Sequence, residues 1–81
     1  TKTYGLDVNY LRSLSKQETF TYGSAVGASG IMCTSVSTGK IKKQDATRIS
    51  LNLLNKISWP EYHRGWNDGL IGREKCTFLK Y

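Results

Sequence analysis

The sequence predicts an all-α fold: a small three-helix bundle running up, down and up behind a short N-terminal helical turn, tied by one disulfide. Three observations carry that expectation. Capping signals mark helix starts, apolar residues recur at helical spacing, and two cysteines fall where parallel helices would bring them together. No alternation of apolar and polar residues runs long enough to build a sheet.

The 81 residues make one domain, large enough to fold alone but short of core. Residues 1–6 are expected to be loose, and Asp7 to cap a helical turn through Tyr10 and Leu11. Ser15-Lys16-Gln17-Glu18 has the S-x-x-E spacing of a capping box, in which the Ser hydroxyl and the Glu carboxylate satisfy each other's backbone amides. With Gly39 as a stop, this gives a first helix over about 16–37. Ala46, Ile49, Leu53, Leu54 and Ile57 recur at helical spacing and give a second over about 43–57. Ser58-Trp59-Pro60-Glu61 repeats the box, with Pro60 in the first turn, and opens a third over about 59–74.

Glycine is costly in a helix interior, by roughly 1 kcal/mol, so glycines in register point to a backbone approaching closely. Gly23, Gly27 and Gly30 share a strip about 60° wide on the first helix, closed off at Thr34 and flanked by Phe20, Ile31, Val26 and Cys33. Gly65, Gly69 and Gly72 repeat the spacing on the third. If these helices are parallel, Gly23 meets Gly65, Gly27 meets Gly69, Gly30 meets Gly72, and Cys33 arrives beside Cys76. The alternative is a chance spacing in which each groove receives a large side chain such as Trp59 or Trp66. A phosphate-binding loop is excluded, because neither the G-x-x-x-x-G-K-[ST] nor the G-x-G-x-x-G pattern is present and no strand precedes the glycines.

A Cys33–Cys76 bridge would close about 44 residues and place the chain in an oxidising compartment, its signal peptide removed. Two unrelated buried thiols are the alternative. The longest uncharged stretch, Thr19 to Gly39, is too rich in Ser, Thr and Gly for a membrane span. Twelve Lys and Arg against six Asp and Glu leave a net charge of +6, which favours anionic partners.

Few residues invite chemistry. One His and two Cys, with no C-x-x-C or H-x-x-x-H spacing, present no metal set, and no cofactor motif is present. His63 and Asp68 could serve a small hydrolase, but His63 and Asn67 read more simply as a solvated helix side, with Arg64 and Asp68 as an i, i+4 pair. Trp59, Tyr62 and Trp66 read as core rather than a stacking platform. Ile71 projects to the polar side of its helix, where it meets the N-terminal segment or marks a contact patch. The assumed topology gathers Lys40, Lys42, Lys43, Arg73, Lys75 and Lys80 at one pole, with Asp45 and Glu74 nearby.

Tyr22, Gly23, Gly27, Cys33, Gly39, Ile41, Ala46, Leu53, Leu54 and Cys76 form a pattern that resembles small periplasmic helical proteins, those grouped with the acid-stress chaperone HdeA and with immunity proteins of type VI secretion. The resemblance covers roughly residues 20–76 and implies a disulfide-tied helical domain that binds another protein. The expected function is a non-enzymatic, exported binding module that docks an acidic protein partner as inhibitor, immunity factor or accessory subunit. A small basic nucleic-acid-binding domain is the alternative, favoured by charge but lacking a recognition motif.

Overall fold

The computed structural model describes residues 7–81 and is all-helical, with no strand among the described residues. The segment 1–6, expected to be loose, lies outside them. Four α-helices follow in order: α1 (Val8–Ser13), α2 (Lys16–Ser37), α3 (Lys43–Lys56) and α4 (Pro60–Asp68), and a 3-10 helix spans Glu74–Leu79.

Local signals set most of the boundaries. Asp7 caps α1, its carboxylate accepting from the Tyr10 amide at 3.1 Å. The Ser15 box is complete: Ser15 Oγ accepts from the Glu18 amide at 3.1 Å, and Glu18 Oε1 from the Ser15 amide at 2.8 Å. At the far end of α2, the Lys40 amide bonds the Ser35 carbonyl at 2.9 Å and the Gly39 amide bonds Val36 at 3.1 Å. That paired closure needs a left-handed residue, and Gly39 supplies it at φ 78°.

Two boundaries differ from the sequence expectation. Ser58 caps nothing: Trp59 occupies the N-cap position with no side-chain cap bond, and Pro60 is the first helical residue. The residue before a proline is held extended, here at ψ 126°, so α4 starts one residue too late for the S-x-x-E register. The third helix also stops at Asp68 rather than continuing to 74. Gly69 caps it, the chain turns with Gly72 at φ 79°, and Cys76 sits in the 3-10 helix.

The packing of α4 on α2 is close, but on a different face of α2 from the glycines. A Cβ at Gly65 would collide with the Tyr22 carbonyl oxygen and lie 3.0 Å from Ala25 Cβ. One at Gly69 would strike Ser29 Oγ and stand 2.6 Å from the Val26 carbonyl oxygen. Contacts advance in the same direction along both helices, so α2 and α4 run parallel. On α2 the buried stripe is Tyr22, Ala25, Ser29 and Cys33, small enough in its middle to admit the α4 backbone. The expected pairs of Gly23 with Gly65, Gly27 with Gly69 and Gly30 with Gly72 do not form. Among the described residues, no atom from outside the local stretch of chain lies within 4 Å of a Cβ built at Gly23, Gly27 or Gly72, and Gly30 meets the Arg73 guanidinium at 3.6 Å.

Cys33 and Cys76 are bridged, with Cα atoms 5.7 Å apart. Around the bridge the core collects Ala25, Ala46, Leu54, Tyr62, Trp66, Leu70 and Leu79. Trp66 is fully buried, and its indole N–H donates to the Leu79 carbonyl at 2.7 Å, so the core tryptophan also holds down the 3-10 helix. Trp59, expected in the same core, is 57% exposed because it precedes the helix that would have turned it inward. Ile49 is likewise exposed on α3, where Ala46, Ser50 and Leu54 form the buried stripe.

Candidate functional site

The turn after α2 carries Lys40, Lys42 and Lys43, and the segment after α4 carries Arg73, Lys75 and Lys80. Two of these converge most clearly. The Arg73 Nε donates to the Gly69 carbonyl at 3.2 Å, and its guanidinium extends over Gly30 of α2. There Arg73 and Lys40 line one end of an open groove of about 600 Å³. Arg73 and Lys75 also border a shallow crevice beside Cys33, and Lys43 Nζ stands 4.8 Å from the Phe78 ring centroid. All six side chains are exposed, and among the described residues none of them forms a salt bridge. Of the two acids expected near them, Asp45 is 3.5 Å from Arg48, and Glu74 borders the same crevice as Arg73 and Lys75.

The groove itself runs along the glycine face of α2. Gly27 and Gly30 form its floor, Val26 and Ile31 its sides, and the hydroxyls of Thr34 and Thr38 lead to Lys40 and Arg73. Ile31 is 70% exposed, and Phe20, three turns earlier on the same flank of α2, is 76% exposed. Sequence reasoning found these residues but assigned them to an internal helix crossing. The available cue was Cys33. It lies about a quarter turn from the glycine strip, and a disulfide partner has to approach the face that carries the cysteine.

The polar residues of α4 are taken up in structural work. His63 Nε2 lies 2.6 Å from the Ile57 carbonyl oxygen and 3.0 Å from that of Leu54, so it carries the proton and donates to the free carbonyls at the C-terminal end of α3. Its ring packs on Tyr81 at 4.5 Å between centroids, and Asn67 Oδ1 accepts from the Tyr81 amide at 2.8 Å. The side of α4 expected to be solvated thus clamps the last residues. Asp68 faces elsewhere: it accepts from the Tyr22 hydroxyl and lies 3.6 Å from Arg64 Nε. Arg64 also reaches Asp7 at 3.8 Å and covers the Tyr10 ring at 4.4 Å, docking α1. His63 and Asp68 share no bond. Ile71, expected to meet the N-terminal segment or to mark a contact patch, is half-buried.

Burial, then the hydrogen bond to Asp68 and its negative charge, push the Tyr22 phenol well above its ordinary value of 10.0. Burial also raises Tyr10 and Tyr62. A phenol that keeps its proton in the folded state stabilises that state fully below pH 10 and loses ground as pH rises beyond it. Melting temperature is therefore expected to fall as pH is raised above about 10, and Tyr22→Phe to flatten that decline without abolishing it. An unchanged alkaline slope in the variant would show that Tyr22 ionises as freely folded as unfolded.

No group of three or more His, Cys, Asp or Glu among the described residues could hold a metal ion, and no described helix is long and apolar enough to cross a membrane. Comparison with known proteins returns no matching family model, no matching curated protein and no matching solved structure.

Proposed function

We propose that this chain is an exported, non-enzymatic binding module that docks an acidic protein partner as an inhibitor, immunity factor or accessory subunit. In this reading α2, α3 and α4 run up, down and up, and the disulfide holds the chain together in an oxidising compartment outside the cytosol. The observation that carries it is the set of six exposed cations without an ion pair among the described residues, two of them converging on one groove. Exposed cations add little to folding, whereas a focused positive surface accelerates encounter with an acidic one.

The test compares the wild type with a variant in which Lys40, Lys42 and Lys43 are all replaced by Gln. The variant is expected to melt within a few degrees of the wild type. It should associate severalfold more slowly with the partner recovered from the secreted or envelope fraction, with a flatter dependence on ionic strength. An unaltered on-rate and salt slope would remove the lysine turn from the interface. Random-sequence duplex DNA serves as the control, since tight binding to it at physiological salt would favour the nucleic-acid alternative.

A further inference from the structure

We infer that the open face of α2 seats one helix of that acidic partner, its apolar side against the glycine floor and its carboxylates at the Lys40 and Arg73 end. This rests on the protein-binding reading above and names the kind of segment that is bound. The groove is lined along α2 from Val26 to Thr38, about 18 Å of helix axis and three turns, which matches a helix lying in it better than a compact ligand. Among the described residues, the glycines of this face receive one contact from elsewhere in the chain, the Arg73 guanidinium over Gly30. A Cβ at Gly23 or Gly27 would meet no described atom within 4 Å beyond its own stretch of helix, although glycine weakens a helix interior wherever it stands. Phe20 and Ile31, on one flank of this face, are 76% and 70% exposed, large apolar side chains that the described residues leave open.

Charge selects the occupant. Lys16 lies in line with the glycines at the start of the face, and Lys40 with Arg73 closes the other end. The only acid of α2, Glu18, projects from nearly the opposite side and is held in the Ser15 capping box. Two copies of this chain crossing through α2 would therefore set cations against cations in either orientation, on molecules of net charge +6 each. A helix that is apolar along one side and acidic at one end meets the face with complementary charge.

The probe is an 18-residue synthetic helical peptide with Leu and Ala on one face, Gln on the other and three Glu at one end, titrated into the isotopically labelled protein. Saturable shifts confined to Gly23–Thr34, Lys40 and Arg73 are expected, and exchange of the three Glu for Lys should abolish them. Gly27→Leu fills the floor where space is open, so it should fold normally and weaken binding at least tenfold. If Gly27→Leu binds the peptide as well as wild type while the triple lysine variant binds it poorly, the groove is overturned and the basic pole stands. If the peptide shifts no α2 resonance at millimolar concentration, the groove is overturned as well. A concentration-dependent dimer seen by sedimentation and removed by Gly27→Leu would overturn it in favour of a second copy.

Discussion

Cys33→Ser, or reduction of the native protein, is expected to destabilise the fold by about 4 kcal/mol and lower its melting temperature by roughly 20 °C. The bridge joins residues 43 apart in sequence, so opening it releases a long loop of the unfolded chain. Both sulfurs are buried, at 4% and 1% exposure, between the end of α2 and the 3-10 helix. The loss is large for a domain of this size, whose whole stability is on the order of 5–10 kcal/mol. Unreduced protein should weigh about 2 Da less than reduced protein, and urea titrations of both forms supply the stability difference. A difference below about 1 kcal/mol would mean that packing alone holds the 3-10 helix in place.

The second large effect belongs to α4. Gly65→Ala and Gly69→Ala should each cost about 2–3 kcal/mol despite the better helix propensity of alanine, because the added methyl meets backbone of α2 that cannot give way. Gly69 has φ −67°, a conformation any residue adopts, so its penalty is purely steric. Gly27→Ala is the internal control. With no described atom beyond its own stretch of helix within 4 Å of the new methyl, it should raise stability by about 0.5–1 kcal/mol. Equal melting temperatures for Gly65→Ala and Gly27→Ala would contradict the close approach of α4 to α2.

The contrast between these glycines shows where the sequence was legible. Helix ends depend on a few adjacent residues, and Asp7, the Ser15–Glu18 box and Gly39 stood in the chain with their partners beside them. Trp59-Pro60 carried an equally local signal, but two local preferences conflicted there and the backbone restriction before proline prevailed over the capping spacing. Which side of α2 faces inward is a different kind of question. Gly, Ala, Ser and Thr make up so much of that helix that its two long strips differ little in hydrophobicity, and only Tyr22 and Cys33 distinguish the buried one. The polar roles on α4 were hidden for a related reason. His63 reaches back across the α3–α4 connection to the carbonyls of Leu54 and Ile57, and Asp68 takes a hydroxyl of α2, so neither bond follows from the i, i+4 spacing within α4. Lys40 and Arg73 border one groove, and that groove lies on the face of α2 that the glycine spacing had assigned to the interior.

The two tryptophans have an optical consequence. Trp66 is fully buried with its indole bonded to a carbonyl, whereas Trp59 is 57% exposed in a crevice it shares with Glu18 and Glu61. Their emission is therefore separable: a blue-shifted component that external quenchers do not reach, and a red-shifted one that acrylamide suppresses. The first reports whether the core is intact. The second reports on the start of α2, at the end of that helix away from Lys40, so one unlabelled sample carries an independent signal from each.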